Sequence, residues 1–166
     1  MTLLDAPIFD AERARRRTTI LYTAAGLIFV LFIGSWFASG MPVDWPWNWW
    51  THLRGRMAAN HFLDAVQQND LEKAYAVWTH DPAWKQHPNE HTEYPFARFE
   101  QDWSPTSSAN EYGPIKSHKI LAARRSGNVL IMGIQINQLK SNALFLAYDP
   151  HAHTLGFSPV ELYLGP

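Results

Sequence analysis

Residues 61–78 read HFLDAVQQNDLEKAYAVW, and two helical stripes meet in them. Ala58, Phe62, Ala65 and Val66 fall at i, i+4, i+7 and i+8. Leu71, Ala74, Tyr75 and Trp78 fall at i, i+3, i+4 and i+7. A period of 3.6 residues puts each set on one face of a helix. Asn69-Asp70 separates them, and Asp70 is a good N-cap for the second. The pattern predicts two amphipathic helices, over 51–68 and from 71 onward, joined by a tight turn.

Downstream, residues 79–95 (THDPAWKQHPNEHTEYP) read as a loop with one short turn. Residues 96–103 form a short third helix with Phe96, Phe99 and Trp103 on one face. After Pro114 the period changes. Residues 115–125 read as a strand and Ser126-Gly127-Asn128 as a turn. In VLIMGIQIN, 129–137, Leu130, Met132, Ile134 and Ile136 share one face. Residues 143–148 are a third strand. Asp149-Pro150 opens a hairpin loop, because Asp-Pro starts turns. Residues 154–163 complete the sheet, with Pro159 marking an edge or a bulge. Helices followed by strands with short connections give an α+β domain with an antiparallel meander.

Upstream, no charged residue occurs between Arg17 and Asp44. Residues 18–40, TTILYTAAGLIFVLFIGSWFASG, are long enough to span a bilayer, since ~20 apolar residues cross ~30 Å of hydrocarbon. In lipid such a segment must satisfy its own backbone hydrogen bonds, so a helix is expected. Arg13, Arg15, Arg16 and Arg17 form a cationic collar before it. Trp45, Trp47, Trp49 and Trp50 follow it, and indoles favour the headgroup zone. The boundaries are therefore a basic N-terminus (1–17), a transmembrane helix (18–40), a Trp/Pro-rich interfacial linker (41–51) and a soluble domain (52–166). More basic residues precede the helix than follow it closely. That bias places the N-terminus in the cytoplasm and the domain outside, with the span in a bacterial inner membrane. The rival is a cleaved signal peptide ending at Ala38-Ser39-Gly40. Against it stand the long apolar run, the bulky Trp36-Phe37 at its end, and acidic residues at 5, 10 and 12.

The 166-residue chain has a formal net charge of -1 and no cysteine. The first gives no footing for nucleic-acid binding. The second excludes disulfides, thiolate metal sites, a cysteine nucleophile and a lipidated N-terminal cysteine.

The phrase at 61–78, followed by a short helix and an antiparallel sheet, resembles the opening of the NTF2-like (cystatin-like) superfamily. The resemblance covers about residues 52–166. It implies a cone of two to three helices packed on a curved antiparallel sheet. The strand such domains carry between the second and third helices is not visible in this sequence. The superfamily includes enzymes, ligand binders and interaction modules, so the resemblance implies no single activity. It also implies a homodimer as one assembly state. The whole chain resembles small bacterial envelope proteins.

Candidate chemistry is sparse. His80, His87 and His91 share one loop with Glu90 and Glu93, and His151 and His153 share another. The spacings match no strong metal motif, so solvated loop histidines are the simpler reading, and no metal or cofactor is expected. His118 on the first strand and Asp102 at the end of the third helix could face a cone interior, where burial would tune an acid or base. Tyr75, Trp78, Phe99, Trp103 and His118 are the ligand-pocket candidates. Filling the core is the commoner role for the four aromatics. No catalytic set emerges. The sequence points to a membrane-anchored, non-catalytic binding or scaffold domain, whose partners are the bilayer and an envelope protein. The alternative is a small-molecule binder or enzyme using the cone's cavity. An open interior holding His118 or Asp102 would favour the alternative, and an interior filled by its own side chains would favour the scaffold.

Overall fold

A computed structural model describes residues 10–87, 89–138 and 143–164. The chain divides after Ala38 into two compact units.

The first unit is helix α1, Ala11–Ala38, 28 residues and about 42 Å long. It begins about two turns before the apolar run, because Asp10 caps it by accepting the Arg13 N–H at 3.0 Å. The arginine collar is therefore helical. Thr18, Thr19 and Thr23 donate their hydroxyls to carbonyls four residues back. No residue of α1 is buried, and its apolar window has a mean hydropathy of 2.0. By length and composition it can cross a membrane, as an anchor or as a signal sequence would.

The second unit is α+β, and it starts earlier than the sequence boundary at 52. Gly40 and Met41 take positive φ, of 86° and 53°. A 3-10 turn at Pro46–Asn48 leads into α2, Trp49–Gln67. The Trp/Pro segment is folded onto α2. Asp44 Oδ2 lies 2.7 Å from Nε2 of the buried His52, and the Trp49 indole N–H donates to the Asp44 carbonyl at 3.0 Å. Helix α3, Leu71–Thr79, opens where expected, with the Asp70 carboxylate accepting the Lys73 N–H. Helix α4 is Phe96–Trp103. Between α3 and α4 the described residues form a 3-10 turn at Trp84–Gln86 and no strand.

Strands β1 (His118–Ser126), β2 (Val129–Ile136), β3 (Ala143–Tyr148) and β4 (Leu155–Phe157) pair in order as an antiparallel meander. β1 starts three residues later than its apolar pattern. The Asn137 side chain accepts the N–H groups of Lys116 and Ser117 and donates to the Pro114 carbonyl, so a side chain replaces the ladder there. A bulge between Ile120 and Ala122 shifts the register and leaves Leu121 exposed, which bends the strand. β4 is also shorter than expected. After Phe157 the Ser158 N–H still donates to the Phe145 carbonyl at 2.9 Å, the chain leaves the sheet at Pro159, and Leu164 returns against Gly133 on the sheet's outer face.

The core lies between the helices and the inner sheet face, on Leu130, Met132, Ile134 and Ile136 of β2. Helix α2 approaches this face at Gly55. A β-carbon there would lie 2.6 Å from Leu130 Cδ2 and 3.0 Å from Tyr148 Cδ1, both on buried side chains. Gly55→Ala should therefore cost about 1–3 kcal/mol by overpacking. Thermal unfolding of the detergent-solubilised protein measures it. An unchanged midpoint would mean that Leu130 and Tyr148 move aside freely.

Candidate functional site

The interior is occupied by aromatic side chains. Phe62 sits against Trp78, Phe99 and Trp103 with ring centroids 5.2, 6.1 and 4.9 Å apart. Tyr75 packs edge-on to Phe99 at 5.0 Å, and its hydroxyl donates to the Tyr94 carbonyl at 2.7 Å. Tyr75, Trp78, Phe99 and Trp103 are thus brought together in the core role that is the commoner one for such aromatics: all four are buried and pack on one another. Trp103 borders a small recess of about 270 Å³ beside Arg98, Asp102 and Tyr112, and Trp78 borders another of about 340 Å³ beside Glu90, His91 and Tyr94.

Of the two acid–base candidates, Asp102 borders the first recess, and both are engaged by neighbouring side chains. Asp102 Oδ2 accepts from the Tyr94 hydroxyl at 2.9 Å and from Arg98 Nε at 3.2 Å. Burial, and then this bond, push the Tyr94 phenol well above its ordinary range. His118 lies on the helix side of β1, with Nε2 3.8 Å from Asp64. Its buried Nδ1 has no hydrogen-bond partner among the described residues. Burial lowers its pKa, and the Asp64 charge offsets this in part.

The largest described concavity is instead an open groove of about 640 Å³ on the outside of the helical pair. Helix α2 contributes Arg54, Met57, Ala58 and His61. Helix α3 contributes Lys73, Ala76 and Val77, and His80 joins them from the left-handed cap just beyond it. The α2 set runs i, i+3, i+4, i+7 and the α3 set i, i+3, i+4, so each is one helix face, adjacent to the face that carries the core stripe. The order is the same in both: a cation, two apolar residues, a histidine. The β3–β4 hairpin closes one wall with Tyr148 and His153, whose hydroxyl and Nδ1 share a hydrogen bond at 2.8 Å. The His80 and His153 rings meet edge to face at 5.2 Å. Among the described residues, no carboxylate lines the groove. The nearby Asp149 turns inward to accept the N–H groups of His151 and Ala152, which hold its pKa below the ordinary carboxylate range. The groove therefore presents two positive charges and three imidazoles above an apolar floor.

At the Arg54 end, the guanidinium lies 4.9 Å from the Trp50 ring centre. Trp45, Trp47 and Trp50 are 68%, 72% and 59% exposed, and the first two stack at 5.0 Å. Trp49 departs from the expected interfacial set, because its ring is turned into the domain and is 9% exposed. Three of the four tryptophans are thus exposed.

Of the loop histidines, His80, His87 and His151 are exposed as solvated side chains, and two of the group converge. His87 and His91 both reach Asp81, and Glu90 closes on the same point. The sequence grouped His87, His91 and Glu90 in one loop but not Asp81 with them, and it did not show the groove, which joins residues of ordinary type from separate segments. The repeated cation–apolar–apolar–histidine spacing was the available signal for the groove.

No family model, no curated protein and no solved structure matches this chain.

Proposed function

We propose that this protein is a non-catalytic binding module, held at the outer face of a bacterial inner membrane by α1, and that the groove between α2 and α3 receives an acidic segment of a neighbouring envelope protein. The observation that carries this reading is the contrast between a core filled by its own aromatics and an open external groove whose described lining holds no carboxylate. A small-molecule site encloses most of its ligand, which an open groove along two helix faces does not do. From Arg54 to His61 the groove follows α2 for about 10 Å, the length of a short peptide segment. Charge of one sign selects and steers an acidic partner, and an apolar floor supplies burial.

The arginine collar and the apolar helix support an anchor with the N-terminus in the cytoplasm. The exposed indoles of Trp45, Trp47 and Trp50 support seating of the domain in the headgroup zone. Anchoring holds the groove at high local concentration beside membrane partners. The NTF2-like reading rests on residues 61–78 and on helices preceding a bent meander.

Two experiments test this reading. In spheroplasts, external protease should remove a C-terminal tag from membrane-bound protein. A protected tag would reverse the topology, and a soluble tagged product before protease would make α1 a cleaved signal. A photo-crosslinking residue at Ala76, inside the groove, should then give a protein adduct of discrete mass that the same residue at Glu100 on α4 does not give. Adducts with lipid only would assign the groove to the bilayer, and equal labelling from both positions would remove its special role.

A further inference from the structure

Outside the groove, the segment between α3 and α4 gathers a second group of side chains. Its anchor is the end of α3. His80 takes the left-handed conformation, with φ 54°, and donates its N–H to Ala76 and Val77, while the Asp81 N–H returns to the Ala76 carbonyl at 3.0 Å. This is the paired closure of a Schellman ending, and it fixes the backbone at Asp81. One oxygen of Asp81 then accepts the Ala83 N–H at 2.8 Å. The other lies 2.9 Å from His87 Nδ1 and 3.3 Å from His91 Nε2. The Glu90 N–H donates to the His87 carbonyl at 3.0 Å, a turn that sets these two side chains on the same side. One donor atom each from Asp81, His87 and Glu90 then lies within 4.8 Å of the others. His91 is held from the core, its ring edge-on to Tyr75 at 6.0 Å.

We infer that Asp81, His87 and Glu90 form a binding site for a divalent transition cation, zinc in the first place, with His91 as a neighbouring fourth donor. Zinc takes imidazole nitrogen and carboxylate oxygen at about 2.0–2.1 Å, which sets tetrahedral ligand edges of about 3.3 Å. The cluster is already on that scale, and modest side-chain rotation closes it. Two carboxylates against a dication balance charge, with the cation replacing the proton shared between Asp81 and His87. The imidazole donors select against magnesium and calcium, which prefer all-oxygen shells. The bound ion would clip the end of α3 to the segment that leads to α4.

The test uses the full chain in detergent, without a histidine tag, and zinc alone. Competition against a chromophoric chelator should give one site per chain. His87→Ala and Glu90→Gln should each weaken it by about tenfold or more, and His151→Ala, on the other histidine loop, should leave it unchanged. Cobalt should give the visible absorption of a tetrahedral site, lost in the His87→Ala protein. Absence of zinc binding would overturn the inference. So would binding that survives the combined His87→Ala and Glu90→Gln substitution, or that disappears with His151→Ala. Because these readouts need no partner, they stand or fall separately from the groove.

Discussion

Phe62→Ala is expected to destabilise the soluble unit by about 3–5 kcal/mol, the cost of an aromatic cavity in a closed core. Phe62 is fully buried and touches rings from both other core helices: Trp78 of α3, and Phe99 and Trp103 of α4. Those neighbours are large and planar, and they are fixed on separate helices, so collapse into the void would require helices to move. The loss should appear as a fall of about 10 °C or more in the unfolding midpoint. Phe62→Leu, which keeps most of the volume, should recover more than half of it. A small loss in the alanine variant would mean that the interior relaxes easily or is already partly open. That outcome would revive the cavity reading of Tyr75, Trp78, Phe99 and Trp103.

Reversing both groove cations, Arg54→Glu with Lys73→Glu, is expected to weaken partner capture by on the order of 100-fold, because like charges would then face an acidic segment. Both side chains are exposed, so the unfolding free energy should stay within about 1 kcal/mol of the parent. Loss of the Ala76 crosslink without loss of stability is therefore the expected pair of results. The effect should shrink at high salt, where exposed charges are screened. Glu72→Lys with Glu100→Lys alters charge on α3 and α4 outside the groove lining and should leave the crosslink in place. A crosslink unaffected by the reversal would show that the groove is not read by charge.

The helices were legible because their signals are local. Stripes at helical spacing, the Asp70 cap and the exclusion of charge from 18–40 each operate within a turn or two of backbone. The alternation of β2 was legible for the same reason, since that strand is buried against the helices on every second residue. The ends of strands were less so. β1 begins late because Asn137, about twenty residues away, takes two of its N–H groups. β4 ends early because pairing stops after the Ser158 N–H, at Pro159, which has no N–H to donate, and the returning Leu164 covers Gly133 on the outer sheet face. Alternation alone cannot report either event. Trp49 shows the same limit, because composition marks it as interfacial while the Asp44 carbonyl and the His52 pairing fold it inward.

By itself, the sequence determined an α+β order of elements behind one apolar helix. It also determined which side chains form the core, since burial follows periodicity and periodicity is written along the chain. Only the tertiary structure decided that those aromatics fill the interior and that Arg54, Lys73 and three imidazoles border one groove. It alone brought Asp81, His87 and Glu90 to a single point. Such groupings depend on how helices and loops are docked. Docking is settled by close approaches such as Gly55 on Leu130 and by turns such as the one at His80, which a linear pattern does not specify.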